Sequence, residues 1–293
     1  MPSSLRRAQA EDVAGETGSR CHLPTRVVLC RIVPTRMEVV VTKRVRVVTP
    51  ITTRGFRSPH DFDALQSADV TVEMVEIDTG PASIECEFDE ALAVPGTVAK
   101  VIEAERDGVD AVVIDCMGDP GLRPARECVS IPVVGPAETA MHIAAMLGHS
   151  FSVITVLDNI RPMLENQAAV YGLPGKLASV RSVDIPVLEL ESDLDRVKRA
   201  LTEQAVIAVE QDGAHAIIFG CTGMLGCAEA VRAGLLSRGL DVPVIDPVPA
   251  AVRFAVALID SGLSQSKRTY RTPPAKPIVG YDEIAPSMRE AAE

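Results

Sequence analysis

One stretch occurs twice: DGVDAVVIDCMG at Asp107–Gly118 and DGAHAIIFGCTG at Asp212–Gly223 align without a gap. Each opens with an Asp-Gly pair suited to stopping a helix, continues through a short apolar run suited to a buried strand, and reaches a cysteine two residues before a glycine. The pairing extends outward. IPVVGPAETA at Ile131–Ala140 matches VPVIDPVPAA at Val242–Ala251, and VRVVTPITT at Val45–Thr53 matches FSVITVLDN at Phe151–Asn159. β-branched runs at Val45–Thr49, Val70–Ile77, Ala111–Asp115, Pro132–Gly135, Phe151–Val156, Ala216–Gly220 and Val242–Asp246 alternate with helix-length segments. That alternation predicts an α/β protein with parallel-type sheets flanked by helices. The duplication predicts two lobes related by a pseudo-two-fold axis, with strand ends, and both cysteines, facing each other across a cleft.

The expected division is lobe 1 over 43–137, with part of 247–293 packing on it, and lobe 2 over 138–246. Residues 1–42 lack apolar periodicity before Arg26 and are expected to be a dispensable disordered extension, with Met37 a candidate start. The segment after about Leu263 is expected to be a polar linker and a short terminal piece. Ser192 is expected to open a helix in a capping box with Asp195. Leu194, Val197, Leu201, Ala205 and Val209 then share one face, and Gly213 is the stop.

Composition narrows the function. The 293 residues are 47% hydrophobic, enough for a sizeable core, and no run is long and apolar enough to suggest a membrane helix. A net charge of -11 disfavours nucleic-acid binding, so the partner is expected to be a small polar or anionic molecule in a cytoplasmic protein. Seven cysteines without repeated CxxC pairs suit reduced thiols better than disulfides or zinc. No HxxxH spacing, GxGxxG or phosphate-binding loop is present, so neither a metal nor a cofactor is expected. His142, His149 and His215 are expected to serve structural roles.

Inverting a carbon beside a carbonyl without a cofactor requires a base on one face and an acid on the other. Cys116 and Cys221, at matched strand ends, suit both tasks. Burial as a small apolar residue would explain either cysteine alone, but not the matched pair. A free thiol titrates near about 8.5, so one cysteine is expected to be favoured as thiolate by nearby backbone amides. Asp119 and Pro120 are expected to cap and start a helix after Cys116, and Thr222-Gly223-Met224 to lead into another after Cys221. The same amides are expected to bind the oxyanion formed when the α-proton leaves. Cys86, Cys128 and Cys227 lack matched partners and are expected to pack; Cys21 and Cys30 fall in or beside the extension.

Between about Arg44 and Gly262 the chain resembles the hydantoin and allantoin racemase branch of the aspartate/glutamate racemase superfamily. The resemblance is carried by GPASIE at Gly80–Glu85, FDEALAVPG at Phe88–Gly96, CMGDPG at Cys116–Gly121, PVVGPAETAMHIAAMLG at Pro132–Gly148 and GCTGM at Gly220–Met224. It implies two lobes, catalysis by both cysteines, no cofactor and a homo-oligomer. The family's first loop commonly reads Asn-Pro-Asn followed by Thr or Ser, whereas this chain has Thr49-Pro50-Ile51-Thr52-Thr53. Missing both side-chain amides, it is expected to turn over simple 5-substituted hydantoins weakly, and restoring asparagine at 49 and 51 should raise the rate. Thr49, Ile51, Thr52, Thr53, Met117, Gly118, Asp119, Thr222, Gly223 and Met224 are the expected substrate contacts. The alternatives are an amino-acid racemase, a maleate-type cis–trans isomerase, a decarboxylase, and a non-catalytic binder or thiol sensor.

Overall fold

The computed structural model describes residues 42–274 and 276–281, so the expected extension, Cys21, Cys30 and Met37 lie outside the described residues. Two four-stranded parallel sheets carry the chain. The first holds β1 (Lys43–Thr49), β2 (Val70–Glu76), β3 (Ala111–Ile114) and β4 (Val133–Val134) in the order β2-β1-β3-β4. The second repeats that order as β6-β5-β7-β8, with β5 (Phe151–Thr155), β6 (Leu177–Ser182), β7 (Ile217–Phe219) and β8 (Val244–Ile245). In each sheet the chain runs outward from the first strand and then crosses back to the third. The crevice beyond the carboxyl ends of those two neighbouring strands is where open α/β sheets bind ligands. Cys116 follows β3 there, and Cys221 follows β7.

The seven strand runs read from the sequence are all present, though the short fourth strand of each sheet is trimmed to two residues. The strand missed is β6, an edge strand paired only to β5, whose LASVRS is mostly half-buried and shows no continuous apolar run.

Helices α1 (Glu87–Arg106), α2 (Leu122–Cys128), α3 (Pro136–Leu147), α4 (Arg161–Val170), α5 (Leu194–Glu210), α6 (Ala228–Leu236) and α7 (Pro247–Asp260) cover the sheets. Two of them change sides. α3 leaves the first sheet and packs on β5 and β7, while α7 leaves the second sheet and packs on β1, β3 and β4. Period-2 alternation explains the second case, because Val45 and Val47 of β1 and Ala111 and Val113 of β3 face Val248, Ala251, Val252 and Ala255 of α7. Val48, Val112 and Ile114 point the other way into the larger core. Burying each such aliphatic side chain contributes roughly 1.5–3 kcal/mol, so the exchanged helices bind the two halves to each other.

Three local expectations are corrected. The cap of α5 is Asp193, which accepts from the Arg196 amide at 2.9 Å, while Ser192 donates instead to the Glu189 carbonyl at 2.6 Å. Val197, Leu201 and Ala205 are buried as expected, but Leu194 is exposed, because the helix begins there before it reaches the core. The segment after Leu263 straps the first sheet rather than running free. Gln265 accepts from the Val133 amide at 3.0 Å and donates back to its carbonyl, occupying the place of a further strand at the β4 edge. Lys267 donates to the carbonyls of Arg126, Glu127 and Val129 at the end of α2, where a cation is favoured. Among the described residues, no helix is long and apolar enough to cross a membrane.

Candidate active site

The two repeated loops line one cleft. Thr49, Ile51, Met117 and Gly118 from the expected set line it, as do Cys116, Cys221 and Thr222. Asp115, Pro50 and Gly220 also line it, and the rest of its wall is apolar, supplied by Phe56, Ile84, Val156, Ile160, Met163 and Val187.

Other expected contacts have different work. Thr52 donates to the Pro81 carbonyl and Thr53 to the Ala82 carbonyl, so both hydroxyls hold the first loop against its neighbour and neither residue lines the cleft. Met224 is wholly buried. Gly223 sits behind Cys221, where an added β-carbon would stand 2.8 Å from Leu190 Cδ1 and 3.5 Å from the Cys221 sulfur.

Asp119 is the sharpest correction. It does not cap the helix that follows it: Gly121, in the left-handed region at φ 79°, precedes α2, and Asp119 itself has φ 48°. Its carboxyl reaches across to α3, accepting from the amides of Ala137 at 3.1 Å and Glu138 at 2.9 Å, and from the Tyr171 hydroxyl at 2.6 Å. The cap is supplied from outside the helix because Gly135, at the N-cap position, has no side chain to offer. An added β-carbon there would collide with the Asp119 carboxyl at 2.5 Å. After Cys221, a 3-10 turn over Thr222–Met224 leads into α6, as expected.

A buried ion pair that sequence reasoning missed laces the loops together. Arg57 donates to Asp115 through Nε at 2.7 Å and Nη2 at 3.0 Å, and also to the Thr222 carbonyl at 2.5 Å. Thr222 returns a bond from its hydroxyl to the Asp115 carbonyl at 3.0 Å, and Thr49 donates to Asp115 Oδ2 at 3.2 Å. The residue before one cysteine is thus tied to the residue after the other. In the sequence Asp115 marks only the end of a strand, and a charge at that place in an otherwise apolar run is the available signal. Arg57, some sixty residues away, carried none.

Both sulfurs touch the cleft, yet they are packed densely enough to disfavour charge. Burial pushes the Cys221 thiol up to about 11, opposed by the Gly223 amide and the Arg57 cation and reinforced by Asp115 and Glu85. Burial raises Cys116 well above its ordinary range, opposed by the Gly118 amide, whose nitrogen is 3.4 Å from sulfur, and reinforced by Glu90, Cys221 and Asp119. The expected favouring of thiolate is therefore corrected: the amides are present, but desolvation outweighs them. Among the described residues no three His, Cys, Asp or Glu side chains converge as a metal site would require. Cys227 is buried, whereas Cys86 and Cys128 are half-buried. His142 is exposed against the Glu138 carbonyl, and His149 packs against His215.

Fold and site together define a class: duplicated α/β halves that bring two matched thiols to one desolvated cleft. The family model described as Asp/Glu/Hydantoin racemase matches residues 60–255. A hydantoin racemase of Pseudomonas sp. (strain NS671) is 40% identical over 240 residues, covering 81% of this chain and 94% of that protein. A hydantoin racemase of Rhizobium meliloti is 43% identical over 206 residues, covering 70% and 83%. The solved allantoin racemase from Klebsiella pneumoniae superposes with a TM-score of 0.78 at 33% identity, covering 84% of this chain and 100% of that one. The chain belongs to the Asp/Glu/hydantoin racemase family and is an isomerase of the racemase type.

Proposed function

We propose that this chain racemises hydantoins at the ring carbon beside the carbonyl, with Cys116 and Cys221 as its acid and base. The observation that carries the reading is the convergence of the two matched thiols on one cleft. In one direction a thiolate removes the ring-carbon proton, the electron pair moves onto the adjacent carbonyl oxygen, and the other thiol protonates the carbon from the opposite face. One sulfur gains the proton that the other loses, so no cofactor is required.

The cleft favours an uncharged substrate over an open-chain amino acid. No Lys, Arg or His lines it among the described residues, and the buried Arg57 is paired with Asp115 and donates to the Thr222 carbonyl. A carboxylate would enter without a counter-charge, at a cost of several kcal/mol. The same lining shapes the preference among hydantoins. Ile51 replaces an amide with an apolar surface, and the Thr49 hydroxyl is directed to Asp115, so an apolar substituent fits better than the polar ureido group of allantoin. Ring polar groups are left to backbone partners, which is consistent with slow absolute turnover.

The test is to incubate each enantiomer of 5-isobutylhydantoin, and separately allantoin and glutamate, in deuterated water, following optical rotation and deuterium at the reacting carbon. Rotation should decay with deuterium gain for the alkyl hydantoin first. If glutamate alone exchanged, the substrate reading would be wrong; if nothing exchanged, the protein would be a binder.

A further inference from the structure

We propose that Glu90 is a positioning residue that relays protons between Cys116 and a solvent groove on the far side of the Cys116 loop. The inference rests on the paired-thiol reading above. A two-thiol racemase leaves each turnover with its protons exchanged, since the thiolate has become a thiol and the thiol a thiolate. Before it can repeat the same direction, one proton must leave one sulfur and another must reach its partner.

The structure provides a route at one cysteine. Glu90 projects from α1 to Gly118: a β-carbon added to Gly118 would stand 2.9 Å from Glu90 Oε2 and 3.6 Å from Cys116 Sγ. Carboxyl and thiol thus both lie against the same glycine. On the other side, Glu90 lines a separate groove with Glu87, Asn166 and Gln167, and Met163 forms part of the walls of both cavities. The Glu90 carboxyl has no hydrogen-bond or ion-pair partner among the described residues. Gln167, which donates to the Gly118 carbonyl, keeps its own Oε1 buried and unpartnered. Glu90 is therefore held between the two spaces without being spent on structure.

Its surroundings tune it. Burial, then the charges of Asp119 and Glu87, push the Glu90 carboxyl up to about 7, where it takes up and releases protons with little bias. The titratable groups facing it are Glu87 on its own helix, Cys116 and Asp119 on the loop after β3, and Tyr171 of α4's end through its bond to Asp119. Discharge runs from the Cys116 thiol, through a water beside Gly118, to the Glu90 carboxylate, leaving thiolate and carboxylic acid. The acid then releases its proton to water in the groove. Recharging reverses both transfers.

The test is steady-state kinetics of Glu90→Gln in the full chain with a hydantoin, across pH and buffer concentration. Because the reset follows product release, kcat should fall about tenfold, KM should fall in parallel, and kcat/KM should hold. Imidazole buffer should restore kcat, and Glu90→Asp should keep most of it. Unchanged kcat would overturn the relay, as would equal loss of kcat and kcat/KM without buffer rescue. Equal impairment of the Asp and Gln variants would also overturn it, since packing and not the proton would then be at stake. Failure of the underlying reading looks different: Cys116→Ser would still racemise both enantiomers, whatever Glu90 does.

Discussion

The Cys116 loop and the Cys221 loop share a frame and differ in charge. Each follows the third strand of its sheet, each sulfur meets the amide of the glycine two residues on, and burial opposes ionisation of both. Behind Cys116 stand Glu90 and Asp119, whereas behind Cys221 lies the Arg57 cation, itself paired to Asp115. Duplication gives the two loops the same frame, while the Arg57 cation opposes the effect of burial at Cys221, and Glu90 and Asp119 reinforce it at Cys116. On the proposed paired-thiol mechanism, matched faces would serve both enantiomers.

The comparison breaks most easily at the sulfurs. Cys116→Ser and Cys221→Ser should each lower racemisation about 10³-fold, while each retains deuterium exchange of one enantiomer, opposite between the two. Exchange of the same enantiomer by both variants, measured by NMR with circular dichroism confirming the fold, would show that the loops do not serve opposite faces.

Removing the cation attacks the asymmetry itself. Arg57→Met leaves Asp115 buried without its partner and should cost about 3–5 kcal/mol in urea denaturation, with much of it recovered in Arg57→Met/Asp115→Leu. In the folded fraction the Cys221 thiol should rise further, seen as later thiolate absorbance on titration. A loss below about 1 kcal/mol would mean that the pair does not hold the loops together.

The thiols also set a pH dependence whose sign is fixed. With Cys221 pushed up to about 11, the thiolate is scarce at neutrality, so kcat/KM should rise close to tenfold per pH unit from about 7 to 9. A plateau below pH 8 would show that substrate binding, or a closed state, lowers the thiol.

The smallest expected effect sharpens the acidic side. Tyr171→Phe removes the hydroxyl donated to Asp119, whose carboxyl burial pushes up to about 7. A carboxyl raised in this way supports folding fully below its ordinary value near 4, and that support is lost as pH rises through 7. The hydroxyl favours the ionised form, so the variant should lose about 1–2 kcal/mol at pH 8 and less at pH 5. An equal loss at both pH values would assign the tyrosine to packing alone.

Much of this was legible in one dimension because strand burial imposes apolar runs, and because duplication printed the same runs twice around Cys116 and Cys221. β6 escaped, since an edge strand with half-buried faces needs no such run. The Asp119 assignment failed for a different reason: an Asp-Pro pair reads as a helix start, and nothing local says that the carboxyl is aimed at the amides of Ala137 and Glu138, two elements away. The strap formed by Gln265 and Lys267 was equally silent, being polar residues whose partners are backbone groups of a distant edge.

The sequence by itself determined the alternation of strands and helices, the duplication, and the two cysteines at equivalent strand ends, because local periodicity and spacing encode all three. Only the tertiary structure decided what each thiol faces. Arg57 and Asp115 are 58 positions apart, as Gln167 and Gly118 are 49, and they meet only after the sheets have formed and α3 and α7 have changed sides. Desolvation, which lifts both cleft thiols and the carboxyls of Glu90 and Asp119 out of their ordinary ranges, is a property of the packed surroundings and has no counterpart in the order of the residues.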